Sequence, residues 1–205
     1  MKDRSYRNCV FINCPFDSRY GAMLDAIVFA VQDCGFVPRC ALEGANDGRS
    51  RLTRIFELVS ACRLGIHDIS RTQLDQSTRL PRFNMPFELG VFLGATQFGN
   101  ARHRSKACLV LDRERYRYRK FCSDLAGIDP VAHDARPQAA VRAVRNWLRE
   151  QGRELIPGGQ LIWQRYQLFR AELPRMRRKA KLDPRRLHFV DYTALIEAWL
   201  DENPW

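Results

Sequence analysis

The stretch "NCVFINCPFDSRYGAMLDAIVFAVQDCGFVPRCAL", residues 8–42, decides the fold. Its first apolar run, residues 8–16, is short and predicts a buried strand. Apolar residues then recur at helical spacing over residues 18–35, which predicts an amphipathic helix. A second apolar run follows at residues 36–42, and Pro38 places that strand near a sheet edge because proline has no N–H to donate. The order strand–helix–strand is the unit from which parallel sheets are built.

The same alternation continues along the chain. Helices are predicted over residues 49–63, 84–98, 117–127 and 136–152, and strands over residues 64–70, 106–112 and 129–134. We therefore expect an α/β domain, residues 1–152, with a parallel sheet of about five strands and helices on both faces. Residues 153–205 are expected to add a basic helical extension, in which Pro174 ends one helix and residues 191–200 form another.

Composition limits the class of protein. The chain has 205 residues, 45% hydrophobic and 28% charged, with a net charge of +11, which is typical of a globular protein that meets acidic partners. Seven cysteines without a CxxC pair indicate buried thiols in a reducing compartment, so we expect a cytoplasmic protein. No leader and no membrane segment are predicted, and the four scattered histidines give no reason to expect a metal or cofactor.

A binding crevice is expected where the carboxyl ends of the strands meet. It would be lined by residues 13–17, 42–47 and 68–71 and by residues 81–88, after a long polar loop over residues 71–84. Loops of that length are often functional.

One carboxylate stands out beside this crevice. Between Pro86 and Phe98 the only ionisable side chain is Glu88. In the simpler interpretation, Asn84 caps the helix and Glu88 stabilises its positive end. However, the helix is apolar nearly all round, so it should be largely enclosed, and a carboxylate there is a candidate catalytic group.

Three segments carry a resemblance to a known family. "FINCPFD" (11–17), "GIHDIS" (65–70) and "FNMPFELGVFLGA" (83–95) resemble the nucleoside 2-deoxyribosyltransferase superfamily and its TIR-like relatives. The resemblance covers roughly residues 8–134. It implies a flavodoxin-like, TIR-like fold, a homo-oligomer, and cleavage of an N-glycosidic bond in NAD or a related nucleotide or nucleoside.

The resemblance also assigns roles to residues. Glu88 is the implied nucleophile or stabiliser of the sugar cation, and Asp68 the implied sugar-binding or proton-handling partner. Such a carboxylate suits a reaction that develops positive charge on the sugar. The resemblance places Phe16 and Asp17 at the base and sugar. The further candidate substrate-binding residues, on or beside the predicted crevice, are Asn13, Pro15, Tyr20, Arg82, Asn84 and Phe87.

The segment "RFNMP" before Phe87 departs from the transferase pattern, and it favours hydrolysis over base exchange. The net charge favours NAD-like nucleotides over free nucleosides. Relatives of this type act in anti-phage defence, which the resemblance implies here.

Two alternatives remain. The chain could sense a nucleotide without turnover, or it could bind an acidic protein or nucleic acid through residues 170–186, which hold eight basic and two acidic residues. The arginines Arg49, Arg71 and Arg82 and the loop 44–50 could hold phosphate. The segment "DRERYRYRK" (112–120) has a composition that also suits nucleic acid.

Overall fold

Parallel strands form one five-stranded sheet in the computed structural model, which describes residues 5–44, 48–72, 74, 79–152, 155–183 and 186–205. The strand order is β2-β1-β3-β4-β5, and every pairing is parallel. The strands are β1 Cys9–Asn13, β2 Val37–Arg39, β3 Leu64–Asp68, β4 Ala107–Asp112 and β5 Val131–Ala132. This is the flavodoxin-like arrangement expected from the sequence, with β2 and its Pro38 at an edge.

Helices cover both faces of the sheet. They are α1 Gly21–Asp33, α2 Arg51–Ala61, α3 Asn84–Phe98, α4 Ala101–Arg104, α5 Pro137–Gln151, α6 Gly159–Lys179 and α7 Phe189–Glu202. The helix predicted over residues 117–127 is instead two 3₁₀ turns, Arg117–Lys120 and Ser123–Leu125.

The two faces are separated by the alternation of side chains along each strand. Val10 and Ile12 of β1 pack in the cluster that contains α1 and α5, whereas Cys9 and Phe11 pack in the cluster of α2. Gly65 of β3 makes room for His67, since a Cβ at residue 65 would lie 2.6 Å from its Nε2.

The C-terminal extension packs onto α1 as a further helical layer. The Phe29 ring of α1 lies 5.5 Å from the Tyr166 ring, 5.3 Å from that of Phe169 and 5.8 Å from that of Trp199. These side chains belong to the same apolar cluster as the sheet. The extension therefore shares the core of the α/β domain.

The prediction that Pro174 ends a helix is wrong, because α6 continues through it to Lys179. Pro174 has no N–H, so the carbonyl of Arg170 loses its backbone hydrogen bond within the helix. Arg170 is exposed, and water can hydrate its carbonyl instead. Leu173 and Met176, on either side of the proline, both pack against the core, and this burial stabilises the uninterrupted helix.

Parts of three sequence predictions fall outside the described residues: residues 45–47 of the glycine loop, residues 73 and 75–78 of the polar loop, and residues 184–185 of the basic segment. Among the helices of the described ranges, none is both long and apolar enough to cross a bilayer.

Candidate functional site

A cavity of about 460 Å³ opens at the carboxyl ends of β1 and β3, where the sequence predicts the crevice. It is lined by Pro15, Phe16, Asp17, Arg19, Arg51, Arg71, Leu74, Arg82, Asn84 and Met85. Four of these residues are arginines and one is an acid, so the lining favours an anionic ligand.

The loop after β1 holds one wall of this cavity in place. Asp17 Oδ1 accepts hydrogen bonds from the backbone N–H groups of Arg19 (3.0 Å) and Tyr20 (3.2 Å). Its other oxygen lies 3.1 Å from the guanidinium of Arg71, which follows β3. Asp17 therefore joins the two crevice loops and fixes the position of one lining arginine.

Glu88 lies in a second cavity, of about 220 Å³, which shares Arg51 and Asn84 with the larger one. Its side chain is 5% exposed, and its Oε1 accepts a hydrogen bond of 3.0 Å from Arg51 Nη2. The Arg51 guanidinium also lies 5.5 Å from the centre of the Phe16 ring. Arg51 thus stands between the carboxylate and the arginine-lined cavity.

Burial raises the pKa of Glu88 above its usual value, and Arg51 opposes this by stabilising the ionised form. Two findings exclude the helix-start interpretation: Glu88 is the fifth residue of α3, beyond its first turn, and the side chain of Asn84 does not cap the helix. A nearly buried carboxylate that is paired with an arginine at a cavity wall is typical of functional sites.

Asp68 lies below the crevice, is fully buried, and contacts three groups. Its Oδ1 accepts from the backbone N–H of Ser70 at 2.8 Å, and its Oδ2 accepts from the hydroxyl of Tyr20 at 2.5 Å. His133 Nε2 lies 3.0 Å from the same Oδ2, although off the direction of a linear hydrogen bond. Because His133 Nδ1 accepts from the backbone N–H of Ala135, the ring proton of a neutral His133 lies on Nε2, facing Asp68.

A second buried pair positions the start of α3. Asn13, at the end of β1, donates from Nδ2 to the carbonyl of Met85 at 2.9 Å, and the same atom lies 3.1 Å from His67 Nδ1. Burial, with help from the charge of Lys106, lowers the pKa of His67 to about 3, so the ring is neutral and serves as a core residue. Its ring packs edge-on against Phe92 at 4.9 Å.

Part of the segment 112–120, which has a composition that suits nucleic acid, makes hydrogen bonds within the protein instead. Arg117 donates to the carboxylate of Asp112 at the end of β4, to the carbonyl of Ile69 (2.9 Å) and to the hydroxyl of Thr72 (3.0 Å). These bonds anchor the loop that leaves β3 beside the crevice.

The structure brings together most of the predicted site residues. Pro15, Phe16, Asp17, Arg82 and Asn84 line the large cavity, and Phe87 and Glu88 line the smaller one. Asn13, Tyr20 and Asp68 are buried beneath the site instead of lining either cavity. Arg71 lines the large cavity, whereas Arg49 pairs with Glu57 on the surface of α2.

Sequence reasoning missed three residues of this region: Arg19, Arg51 and His133. A signal existed for Arg51, because Ser50 caps α2 and a helix that follows β2 begins at the carboxyl edge of the sheet. His133 gave no comparable signal, since it follows a two-residue strand.

The basic segment of the extension lies on the second half of α6 and just beyond it. Exposed basic side chains there are Arg170, Arg175, Arg178, Lys179, Lys181 and Arg186. This half of α6 borders a cavity of about 270 Å³ with Leu24 and Asp25 of α1, whose N-terminus is at the crevice end of the sheet. The basic surface and the crevice therefore lie toward the same end of α1.

Comparison with known proteins does not assign the chain to a family. No family model matches the chain, and no curated protein matches its sequence.

Proposed function

We propose that the protein is an N-glycosidase that hydrolyses the bond between sugar and base in NAD or a related nucleotide, with Glu88 as the essential carboxylate. The observation that carries this proposal is the placement of Glu88, nearly buried and paired with Arg51, at the wall of an arginine-lined cavity. The resemblance of Phe87-Glu88-Leu89-Gly90 to the glutamate segment of the transferase superfamily points to the same residue.

The lining of the large cavity supports a nucleotide over a free nucleoside. Its arginines Arg19, Arg51, Arg71 and Arg82 suit the oxygens of a phosphate or pyrophosphate, for which guanidinium groups are the preferred donors. Phe16 offers an aromatic surface against which a base or sugar packs.

The proposed reaction breaks the bond between C1′ of the ribose and the nitrogen of nicotinamide. The bonding electron pair leaves with the nitrogen, so nicotinamide departs neutral without a general acid. The ionised carboxylate of Glu88 stabilises the developing sugar cation or forms an ester with C1′. Water then adds at C1′ and, where the ester has formed, displaces the Glu88 carboxylate as the C1′–O bond breaks. This gives ADP-ribose and releases one proton.

We assign Asp68 a positioning role in this reaction. Its oxygens are directed at Tyr20, Ser70 and His133, so it fixes the loop after β1 and the end of β3 on which the cavity walls stand. The defence role follows from the resemblance alone and depends on the activity proposed here.

The test is chromatography of NAD incubated with the protein over a series of protein concentrations. Release of nicotinamide is expected from the wild type and not from Glu88→Gln, which keeps the shape of the side chain and removes its charge. Glu57→Gln on the exposed surface of α2 is the matched control and should retain activity. If neither NAD nor a panel of nucleotides and nucleosides loses its base, the catalytic proposal is wrong.

One observation favours a second candidate, a nucleotide sensor without turnover. The hydrogen bond from Arg51 engages the carboxylate that catalysis requires, while Arg19 and Arg82 line the cavity as anion-binding groups. A sensor would bind NAD or a nucleotide equally well as wild type and as Glu88→Gln, with no product from either. Calorimetric titration of both proteins separates this case from a glycosidase.

A further inference from the structure

The exposed basic side chains at the end of α6 take no part in the proposed reaction. Arg175, Arg178 and Lys179 lie three and four residues apart, so their side chains share the outward side of the helix. Arg170 lies about 14 Å before Lys179 along the helix axis, at a rise of 1.5 Å per residue. We call the basic surface the six exposed side chains Arg170, Arg175, Arg178, Lys179, Lys181 and Arg186.

The chain beyond α6 stays close to the end of the helix. Arg177 donates from Nη2 to the carbonyl of Asp183 at 2.7 Å, and this bond folds the turn that carries Lys181. Leu187 borders the same cavity of about 270 Å³ as Arg177, so its neighbour Arg186 also lies near α6. The fold therefore gathers these cations at one place on the molecule.

Most of these cations have no counter-charge in the protein. Among the described residues, no carboxylate forms an ion pair with five of the six, namely Arg175, Arg178, Lys179, Lys181 and Arg186. Like charges at this helical spacing destabilise a helix. The helix dipole offsets that cost only within the last turn, at Arg178 and Lys179. An anionic partner would stabilise the whole set.

The basic surface has no apolar centre. No large apolar side chain is exposed in the described part of residues 170–188, and Leu173 and Met176 pack against the core. The chain does expose such side chains elsewhere, since Phe87 is 55% and Phe98 88% exposed on α3, a helix that the sequence predicts to be enclosed. Protein partners bind mainly through apolar and aromatic side chains at the centre of an interface. Cations without such a centre favour a polyanion.

The apolar side of α6 is already occupied. Ile162, Tyr166 and Phe169 are buried in the core. A helix that binds a membrane surface inserts its apolar side between the lipids, and α6 has none to insert. The packed side also prevents α6 from entering the major groove of a duplex, where a helix reads base edges. Contact with a nucleic acid is therefore limited to its backbone.

The residue types favour a duplex over a single strand. Proteins bind single strands by stacking bases on exposed aromatic rings. Between residues 170 and 190 the only Phe, Tyr or Trp is Phe189, which is buried. A duplex instead presents one phosphate charge per roughly 1.7 Å of its axis, so the 14 Å between Arg170 and Lys179 spans about eight phosphates. Both rows of phosphates lie within reach of separate arginine and lysine side chains.

We infer that the basic surface binds double-stranded nucleic acid through phosphate oxygens, without reading the base sequence. Guanidinium and ammonium groups donate charge-assisted hydrogen bonds to those oxygens. None of the six residues lines either cavity of the candidate active site, so this binding does not depend on the proposed glycosidase. The bound duplex would lie toward the crevice end of α1, beside Leu24 and Asp25.

Fluorescence anisotropy of the full chain with labelled DNA duplexes of about 20 base pairs tests this inference. We expect two unrelated sequences to bind equally well, and the logarithm of the binding constant to fall linearly with the logarithm of the salt concentration. Five or six phosphate contacts predict a slope of about −5, which is a loss on the order of 10³-fold between about 50 and 200 mM salt. An RNA duplex of the same length shows which nucleic acid is preferred.

Arg175→Gln/Arg178→Gln/Lys179→Gln should make the slope shallower by about three and weaken binding more than tenfold. Glutamine is compatible with a helix and all three positions are exposed, so the variant should fold, which circular dichroism checks. The matched control is Arg115→Gln/Arg119→Gln/Lys120→Gln. It also removes two arginines and one lysine from exposed positions, in the segment 112–120, and should bind within about twofold of the wild type.

Equal losses from the two triple variants would overturn the inference, because the net charge would then be responsible and not the basic surface. Tighter binding of a single strand, or a clear preference for one base sequence, would overturn it as well. Poly-glutamate and phosphatidylserine vesicles probe the other anionic partners. If either displaces the labelled duplex at a lower charge concentration than unlabelled duplex does, the surface binds an acidic protein or a membrane instead. Nicotinamide release, measured separately, tests the glycosidase.

Discussion

At the scale of single residues, the environment of Glu88 depends on Arg51. Burial destabilises the ionised carboxylate, and the bond of 3.0 Å from Arg51 partly offsets that cost. The guanidinium is only half buried, 47% exposed, so its own charge stays hydrated while it supports Glu88. A catalytic carboxylate must be ionised to stabilise a sugar cation, and Arg51 favours that state.

Replacing Arg51 with Met should raise the pKa of Glu88, because burial would then act without opposition. The ionised fraction of Glu88 at a given pH falls when its pKa rises, so the acidic limb of the pH–activity profile should move to higher pH. Titration of Glu88 by carbon-detected NMR measures the same shift without substrate. Arg175→Gln, which removes a surface charge on α6, is the control. An unmoved Glu88 pKa in Arg51→Met would show that Arg51 is not its counter-charge.

The residues of the site differ in how readily they can be predicted from the sequence. Glu88 is found easily because it is the only ionisable residue in an apolar segment. Its partner Arg51 is one of 34 basic residues, and nothing in the sequence distinguishes it without the position of α2. Asp68 is located correctly at the end of β3, but its burial depends on Tyr20 and His133, which approach from distant parts of the chain.

At the scale of elements, the contacts of Asp68 join three of them at the carboxyl edge of the sheet. Tyr20 precedes α1, Asp68 ends β3, and His133 follows β5. Burial and the nearby Asp68 raise the pKa of Tyr20 well above its usual value, so its hydroxyl keeps its proton and donates it. This network holds the loops that form the cavity walls.

Tyr20→Phe should lower the free energy of unfolding by about 1–3 kcal/mol, the usual cost of leaving a buried polar group without its hydrogen bond. Tyr6→Phe is the matched control, because its hydroxyl donates to the carbonyl of Arg102 at an exposed position and its loss should cost much less. Urea titration of the three proteins measures the difference. Equal losses from the two variants would mean that the Asp68 network contributes no more than a surface bond.

Helices were predicted well where the apolar residues keep helical spacing over several turns. They were predicted poorly where contacts with distant parts of the chain determine the local structure. The α1 and α5 patterns extend over several turns and give helices within a few residues of their bounds. The segment 117–127 carries helix-forming residues, yet the bonds from Arg117 to Asp112 and Ile69 fix its first part as a 3₁₀ turn. The continuation of α6 through Pro174 likewise depends on the packing of Leu173 and Met176 against the core, which the local rule that proline ends a helix does not include.

At the scale of the whole molecule, the sequence divides the chain near residue 152, whereas the core is continuous across that point. Phe29 of α1 is fully buried, and its aromatic neighbours Tyr166, Phe169 and Trp199 all belong to the extension. A composition change marks where the basic residues begin, but it carries no information on which apolar faces meet. The extension therefore contributes buried aromatic side chains to the core and also carries the exposed basic side chains.

Removal of residues 153–205 should consequently destabilise the α/β domain, since α1 would expose Phe29 and its neighbours and Asp33 would lose its ion pair of 3.2 Å with Arg165. We expect the truncated chain to bind a hydrophobic dye and to lose its cooperative thermal transition. Arg175→Gln/Arg178→Gln in the full chain is the control, because it removes basic charge from the extension while leaving its buried aromatic residues in place. If residues 1–152 alone unfold cooperatively at the temperature of the full chain, the extension is a separate unit whose packing on α1 contributes little to stability.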